Sequence, residues 1–333
     1  MSNITLAVKY RPKCFAEIVG QQAVVSILSK QVETNTFKNV YLFCGSSGCG
    51  KTSLARILAN AINNGEGEPI EIDAASNNGV DNIRQLISDA QQMSIDSDYK
   101  TYIIDECHML TTQAWNAALK LIEEPPTNTI FIFCTTNPEK IPLTIMSRVQ
   151  RFDFKKISTE DIQNRLEYIL NVENIGTYEK DALRKIADKS NGLMREAISM
   201  LDKCVDYSNE INVHNVNLIL GFADDELLFQ VFKSIIEKNV ESALKNLNDI
   251  LSSNTNPITI LDNLLKYFID ANKIQLTHSV IYGSILEKYK DYLINIKEDI
   301  FPLVERIISY RKLSQLIPSE KLLEALFIEL CRR

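Results

Sequence analysis

The first half of the chain alternates short, continuous apolar runs with segments in which an apolar residue recurs every three or four positions. The runs have the length of buried strands, and the recurring spacing is that of amphipathic helices. Alternation of strands and helices predicts a parallel sheet that is covered by helices on both faces. The predicted strands cover residues 40–44, 70–73, 101–104, 130–134 and 151–154, and the helices between them include residues 54–62, 80–92 and 113–123.

From residue 158 onward the apolar spacing is helical, and no strand is predicted there. Ser158 and Asp161 have the spacing of a capping pair at the start of a helix, and Asn191 with Gly192 separates two helices. Because the chain is too long for one compact core, we expect three domains, over residues 1–157, 158–220 and 221–333. The predicted helices cover residues 159–170, 179–190, 194–205, 212–220, 225–238, 240–251, 257–272, 282–295, 299–316 and 319–331.

A complete G-x-x-x-x-G-K-[ST] motif follows the first predicted strand and opens a predicted helix. Such a loop presents backbone N–H groups and the positive end of a helix dipole to a phosphate. Lys51 is expected to reach the β- and γ-phosphates of a nucleotide, and the Thr52 hydroxyl is expected to bind Mg²⁺. The residues predicted to bind nucleotide here are Gly45, Ser46, Ser47, Gly48, Cys49, Gly50, Lys51, Thr52 and Ser53.

A second chemical signal is the acidic pair at the end of the predicted strand 101–104. Asp105 can hold Mg²⁺, directly or through water, and Glu106 can orient and polarise an attacking water. Two solvated acids after a strand are the alternative, which the spacing from the phosphate-binding loop disfavours. His108, which has no ligand cluster nearby, is interpreted as structural or as part of a subunit contact rather than as a metal ligand.

Three further polar side chains are candidates for contacts to the nucleotide. Thr136, or Asn137 beside it, follows a central strand and can hydrogen-bond the γ-phosphate or the water, although Thr-Asn-Pro also suits a turn cap. Arg148 can neutralise a neighbouring subunit's γ-phosphate, and a surface ion pair is the alternative. Arg195 starts a helix of the second domain and can reach back to the nucleotide of its own subunit, or be an exposed helix residue.

The composition is that of a globular protein and indicates no functional site beyond those described above. The 333 residues are 45% hydrophobic and 24% charged, as in globular proteins, and no apolar run approaches the ~18 residues of a membrane span. The seven cysteines form no C-x-x-C pair, which favours reduced thiols in a cytoplasm. A net charge of −7 does not by itself indicate nucleic-acid binding. A ring with a few basic groups inside remains compatible with it.

Taken in order, the motifs closely resemble the gamma/tau subunit family of bacterial DNA polymerase III clamp loaders, which are AAA+ ATPases. The resemblance is specific over about residues 5–220 and weaker in the C-terminal helices, where residues 318–330 are similar to the end of the family's collar domain. It rests on Tyr10-Arg11-Pro12, Val19-Gly20-Gln21, the phosphate-binding loop, Ile72-Asp73-Ala74-Ala75-Ser76, Ile104-Asp105-Glu106-Cys107-His108-Met109-Leu110, residues 119–126, Thr135-Thr136 and Ser147-Arg148.

The resemblance implies a fold, a cofactor and a set of roles. It implies an α/β AAA+ domain with a parallel sheet flanked by helices, then a helical lid and an all-helical collar. ATP and Mg²⁺ are the implied cofactors. Asp105 matches the metal-binding acid and Glu106 the water-activating acid, and Thr136, Arg148 and Arg195 match the first sensor, the finger acting in trans and the second sensor. Tyr10, Arg11 and Val19 match the segment that flanks adenine.

Two departures from the family pattern affect these expectations. Only residues 63–69 fill the gap where the family carries a cysteine-rich zinc module, so no zinc is expected. The finger motif reads Ser-Arg-Val where the family has Ser-Arg-Cys, but the guanidinium of Arg148 is kept. We further expect a short, gamma-like form without the long C-terminal extension of tau, from either a divergent bacterium or a phage.

The implied function is that of an ATPase subunit of a sliding-clamp loader in a bacterial or phage-infected cytoplasm. Its implied partners are other clamp-loader subunits in a hetero- or homo-pentameric ring, a sliding clamp and primer-template DNA, with no membrane. The helix after residues 77–79, with Arg84, is a candidate DNA contact, and residues 111–113 with Lys120 are a candidate clamp contact. The alternatives are a non-hydrolysing structural subunit, a branch-migration ring motor and a small-molecule kinase.

Overall fold

The computed structural model describes residues 4–92, 96–221, 225–251, 257–279, 285, 287–314 and 320–332. Contacts between residues divide the chain into two compact units, Met1–Asn209 and Glu210–Arg333. The first unit contains the sheet and three helices that follow it, and the second unit is built from helices apart from one strand of two residues.

The first unit contains a five-stranded parallel sheet in the order β2-β3-β4-β1-β5. Cys44 lies opposite Thr135 and Asp73 lies opposite Asp105, so the carboxyl ends of neighbouring strands meet at one edge. Loops that leave β1, β3 and β4 are therefore brought together there. The strands are β1 (Val40–Cys44), β2 (Ile70–Asp73), β3 (Lys100–Asp105), β4 (Thr129–Thr135) and β5 (Gln150–Asp153).

Helices cover both faces of this sheet, as the sequence pattern predicts. Successive strand residues point to opposite faces, so Tyr41 packs with Leu54 and Leu58 on one face while Leu42 packs with Trp115 on the other. Thr111 accepts a hydrogen bond from the Ala114 N–H and caps the helix that carries Trp115. The helices are α1 (Leu6–Lys9), α2 (Gln22–Glu33), α3 (Lys51–Ile62), α4 (Val80–Ala90), α5 (Thr112–Glu123) and α6 (Leu143–Met146), with 3₁₀ turns at Phe15–Glu17, Cys107–Met109 and Pro138–Lys140.

The remaining helices of the first unit pack through a small apolar core. They are α7 (Thr159–Glu173), α8 (Lys180–Lys189) and α9 (Met194–Tyr207). Leu166, Leu183 and Leu201, one from each helix, are buried. Ser158 accepts a hydrogen bond from the Asp161 N–H and donates to its carboxylate over 2.8 Å, so the predicted capping pair is confirmed.

The prediction that no strand follows residue 158 is wrong at two positions. Thr177–Tyr178 (β6) and Glu210–Ile211 (β7) are strands of two residues each. A strand of this length is too short to produce the alternation of apolar and polar residues by which strands are predicted.

The second unit forms one helical core around Phe232, Phe268 and Phe327, which are fully buried. Most of the predicted helices reappear, although parts of 282–295, 299–316 and 319–331 lie outside the described residues. The described part of 282–295 forms a 3₁₀ turn and a helix of 5 residues rather than one long helix. None of the described helices in either unit is long and apolar enough to cross a membrane. The helices are α10 (Val213–Leu220), α11 (Asp225–Ile236), α12 (Val240–Leu251), α13 (Pro257–Thr277), α14 (Lys290–Ile294), α15 (Phe301–Leu313) and α16 (Glu320–Cys331), with a 3₁₀ turn at Glu287–Tyr289.

Candidate nucleotide-binding site

A cavity of about 460 Å³ lies in the first unit, at the carboxyl ends of β1 and β3. It brings together most of the residues that the sequence predicts to bind nucleotide, although they come from distant parts of the chain. Those on its wall are Tyr10, Arg11, Val19, Ser47, Gly48, Cys49, Gly50, Lys51, Thr52, Ser53, Asp105, Glu106 and Arg195. Gly45, Ser46, Thr136 and Arg148 are not on the wall, and each is described below.

The phosphate-binding loop takes a conformation that favours glycine at two positions. Gly48 has a φ of 77° and Gly50, which precedes the first residue of α3, has a φ of 103°. Side chains rarely adopt these values because the Cβ approaches the carbonyl oxygen. The left-handed turns let the loop double back onto the N-terminus of α3, where free N–H groups attract anions.

Lys51 lies inside the loop rather than in solvent. The residue is 5% exposed, and its ammonium donates hydrogen bonds to the carbonyls of Gly45 over 2.9 Å and Ser46 over 3.0 Å. Burial of an unpaired cation is costly, and these two carbonyls offset part of that cost. Gly45 and Ser46 therefore contribute to the site by holding Lys51 and not through the cavity wall.

Cys49 and the two neighbouring strand cysteines, Cys44 and Cys134, pack as small apolar residues. All three are buried. Burial raises the pKa of Cys44 to about 11 and raises the pKa values of Cys49 and Cys134 as well. The thiols are therefore protonated at neutral pH and are poor nucleophiles.

The loop and the acidic pair are joined by a hydrogen bond between Thr52 and Asp105. The Thr52 hydroxyl donates to Oδ2 of Asp105 over 2.8 Å across a separation of 53 residues, and Oδ1 accepts the Glu106 N–H over 3.0 Å. Hydroxyl and carboxylate oxygens are ligands that Mg²⁺ prefers, usually with waters and substrate phosphates completing the shell. These two residues fit that chemistry. No cluster of three or more His, Cys, Asp or Glu suited to a metal occurs within the described ranges.

Glu106 is held by two side chains at the end of β3. Its backbone is left-handed, with a φ of 47°. Its Oε2 accepts a hydrogen bond from the Thr136 hydroxyl over 2.8 Å and lies 3.3 Å from Nδ1 of His108. Thr136 therefore acts on the cavity through Glu106. Asn137, the alternative to Thr136, donates its backbone N–H to the Thr135 hydroxyl over 3.0 Å.

Arg148 points away from the cavity of its own chain. Its Nε donates to Oε1 of Glu123 over 2.7 Å, and its Nη1 donates to the Thr144 carbonyl over 2.7 Å. Both partners of the ion pair are substantially exposed, at 39% and 46% of their side-chain surface, so the pair is worth about 1 kcal/mol or less. The contacts of this guanidinium in the single chain are thus the exposed pair with Glu123 and hydrogen bonds to Thr144 and Ser147.

Arg195 enters the site from the first turn of α9. The residue is exposed and lies beside Gly48. Burial lowers the pKa of Arg11, and the nearby cations Arg56 and Arg195 lower it further, against an opposite effect of Glu71. Arg11 and Arg195 both line the cavity that contains the phosphate-binding loop, whereas Arg56 lies outside its wall and pairs with Glu71.

Other wall residues carry no motif that the sequence analysis recognised. Ile157 follows β5, Arg165 comes from α7, and Ile198 and Asp202 come from α9. Arg165 donates to the carbonyl of Tyr10 over 3.3 Å. Once Arg195 is placed in the site, the spacing of α9 puts Ile198 and Asp202 on the same helix face. The helical spacing from Arg195 could therefore have identified Ile198 and Asp202 as wall residues. No comparable sequence pattern points to Arg165 or Ile157.

The strand order, the loop after β1 and the acidic pair after β3 define an AAA+ P-loop protein. Three family models match the chain: the DNA polymerase III delta subunit over residues 65–158, the ATPase lid domain of the DNA polymerase III clamp-loader subunit over 161–210, and domain III of DNA polymerase III subunits gamma and tau over 211–295. The gamma subunit of Buchnera aphidicola from Acyrthosiphon pisum is 31% identical, over 97% of this chain and 96% of the relative. The chain belongs to the DNA polymerase III gamma/tau family, which confirms the resemblance.

Longer relatives match over part of their length. The tau subunit of Bacillus subtilis is 37% identical over 98% of this chain and 59% of its own, and that of Escherichia coli is 35% identical over 75% of this chain and 42% of its own. The chain thus spans about half the length of these tau relatives.

The Thermotoga maritima RuvB Holliday junction branch migration motor has a similar structure, with a TM-score of 0.55 at 19% sequence identity, covering 73% of this chain and 85% of RuvB. That likeness shows the AAA+ fold alone.

Proposed function

We propose that this chain is an ATP-hydrolysing subunit of a sliding-clamp loader. The observation that carries the proposal is the 2.8 Å hydrogen bond from Thr52 to Asp105. It joins the phosphate-binding loop to the acidic pair. The groups that would bind the nucleotide and those that would bind Mg²⁺ therefore line one cavity. Membership of the gamma/tau family supports the same assignment.

The lining of the cavity supports one orientation of ATP. The triphosphate lies on the loop N–H groups and the N-terminus of α3, and Lys51 exchanges its bonds to the Gly45 and Ser46 carbonyls for phosphate oxygens. The base lies toward Tyr10, Arg11 and Val19, at the other side of the same cavity. Thr52 and Asp105 would hold Mg²⁺, which would neutralise charge on the phosphates.

Hydrolysis then depends on Glu106. Its carboxylate accepts a proton from a water as the water oxygen forms a bond to the γ-phosphorus, and the bond from that phosphorus to the bridging oxygen breaks to release ADP. Thr136 orients the carboxylate through its 2.8 Å hydrogen bond. The intact acidic pair distinguishes this chain from a structural subunit that does not hydrolyse ATP.

Arg148 completes the site of a neighbouring subunit. In a ring of clamp-loader subunits, hetero- or homo-pentameric, its guanidinium leaves the weak pair with Glu123 and neutralises charge on the γ-phosphate next door. Arg195 contacts the nucleotide of its own subunit from the lid. Both contacts strengthen in the ATP-bound ring, so ATP shifts the equilibrium between ring states by its differential affinity for them.

The other surfaces of the assembly follow from the domain division at residues 1–157, 158–220 and 221–333. The C-terminal helices form the collar that holds the subunits together, since helices with several apolar faces suit oligomer packing. Primer-template DNA meets the N-terminus of α4, where Arg84 pairs with the exposed Asp81 over 3.2 Å. The sliding clamp meets the start of α5, around Thr111.

The test is ATP turnover by the purified chain, alone and with partner subunits, sliding clamp and primed DNA. We expect turnover that rises when all of these components are present, together with clamp transfer to the DNA. An ATP turnover rate that does not change when clamp and DNA are added contradicts the clamp-loader assignment. Absence of ATP turnover in the full mixture contradicts the assignment of an ATPase.

A further inference from the structure

His108 occupies a position that its motif alone does not explain. It lies in the 3₁₀ turn Cys107–Met109, directly after Glu106, and 12% of its side chain is exposed. The ring atom Nδ1 is 3.3 Å from Oε2 of Glu106 and 3.2 Å from the hydroxyl oxygen of Thr135. The imidazole is therefore wedged between the end of β3 and the end of β4.

The backbone around this ring is fixed on both sides. The Met109 N–H donates to the Glu106 carbonyl over 2.9 Å, which ties the turn to the acidic residue. Thr135 is fully buried, and its hydroxyl accepts the Asn137 N–H over 3.0 Å. Because both flanks are anchored, the ring has little freedom to rotate away from the carboxylate.

The carboxylate of Glu106 needs such support. One third of the side chain, 34%, is exposed, so a single hydrogen bond from Thr136 leaves it free to swing about that contact. The His108 ring, which hydrogen-bonds the Thr135 hydroxyl, brings Nδ1 within 3.3 Å of the same carboxylate oxygen and limits this movement. Both contacts fall on Oε2. Within the part of the chain that the structure describes, Oε1 has no hydrogen bond and remains available to a water in the cavity.

We propose that His108 is a positioning residue for ATP hydrolysis. Its Nδ1, 3.3 Å from Oε2 of Glu106, and the Thr136 hydroxyl together hold the carboxylate so that Oε1 faces the attacking water. The role requires the tautomer that carries a proton on Nδ1. His108 does not touch the nucleotide and acts only through Glu106, and the inference rests on the ATPase activity proposed above.

The matched variants separate positioning from simple packing. The amide nitrogen of His108→Asn takes the place of Nδ1, whereas that of His108→Gln takes the place of Nε2. We expect His108→Ala and His108→Gln to lower kcat by about tenfold to a hundredfold, the range expected when a catalytic group is misplaced by about 1 Å. We expect His108→Asn to recover most of kcat. The Kd for ATP and the Tm should stay near the wild-type values in His108→Asn and His108→Gln.

A double variant tests whether His108 acts through Glu106. In a Glu106→Gln background, His108→Ala should cause no further loss of turnover, because the carboxylate that it positions is already gone. Multiplicative losses overturn the proposal, as do equal kcat values for His108→Asn and His108→Gln. Wild-type protein without ATP turnover contradicts the proposed function instead, so the two failures are distinguishable.

Discussion

Gly48 of the phosphate-binding loop lies against Arg195 of α9: a Cβ built on Gly48 would be 3.2 Å from the Cβ of Arg195. This distance is tighter than ordinary van der Waals contact, so any side chain at position 48 must displace the loop or the helix. The loop that is proposed to hold the triphosphate and the helix that carries the proposed second sensor therefore fit together only because residue 48 lacks a side chain.

Replacement of that glycine should weaken nucleotide binding. Gly48→Ala adds a methyl group at a φ of 77° and against Arg195, and we expect a loss of about 1–2 kcal/mol in stability with a clear loss of ATP affinity. Gly65→Ala is the matched control, because Gly65 has a φ of 89° and no atom of the described residues lies within 4 Å of its added Cβ. Chemical denaturation and calorimetric ATP titration measure both effects. Equal ATP affinity in the two variants contradicts the role of the Gly48–Arg195 contact.

Glu106→Gln should separate binding of ATP from its hydrolysis. The amide keeps the shape of the side chain but cannot accept the proton of water, so we expect turnover to fall by about 10²–10⁴ while the Kd for ATP changes little. Single-turnover and equilibrium-binding measurements give the two quantities. Glu124→Gln is the control with the same charge change, because Glu124 is exposed and directly follows α5. Normal hydrolysis by Glu106→Gln removes Glu106 from the mechanism.

Arg148→Ala should affect the assembled ring and not the isolated chain. We expect unchanged ATP affinity for one chain and a loss of turnover in the ring of about 10³-fold or more, as for other arginine fingers. Glu123→Gln breaks the same ion pair but keeps the guanidinium, so its turnover should remain. Mixing Arg148→Ala with Glu106→Gln chains should restore activity at interfaces that join an intact finger to an intact active site. Failure of this complementation contradicts action in trans.

A pH-dependent contribution to stability is expected in the second unit. Glu226 accepts hydrogen bonds from Lys288, over 2.7 Å, and from Tyr289. These bonds lower the pKa of Glu226 from its ordinary 4.5 to about 2. A lowered folded-state pKa stabilises the protein above the unfolded-state value, and the contribution is lost as the pH falls from about 4.5 to about 2.

Glu226→Gln should therefore reduce the free energy of unfolding at neutral pH, and the difference from wild type should shrink across that acidic range. Urea denaturation at a series of pH values measures it. Glu324→Gln, at an exposed position of α16, controls for the change in net charge. A difference between Glu226→Gln and wild type that is independent of pH contradicts an origin in the carboxylate.

The sheet could be predicted closely because its strands are bounded apolar runs. Residues 40–44 and 70–73 match β1 and β2 at both ends, and β3 and β4 extend the predicted runs by one residue at each end. The phosphate-binding loop and the acidic pair could be found for a related reason: each is a continuous stretch whose chemistry is visible in a few neighbouring residues. Where those stretches meet in space followed from the parallel sheet, whose strand ends share one edge.

Residues that reach the site by packing alone could not be predicted. Arg165 and Ile157 line the cavity because α7 and the segment after β5 pack against the N-terminal residues, and nothing in their own neighbourhood signals this. The position of His108 could not be predicted either, because the residues around a single histidine do not show that its ring lies against Thr135 on the adjacent strand. Arg148 pairs with Glu123 in the single chain, and the proposed finger role requires a second subunit.

The central claim is that the cavity binds ATP through Lys51 inside the phosphate-binding loop. Calorimetric titration of ATP with Mg²⁺ into the purified chain tests it most directly, with Lys51→Ala as the variant and the exposed Lys30→Ala as the matched control. We predict binding at one site per chain for wild type and Lys30→Ala, and loss of that binding for Lys51→Ala. No binding by the wild-type chain, or equal binding by wild type and Lys51→Ala, would contradict the account.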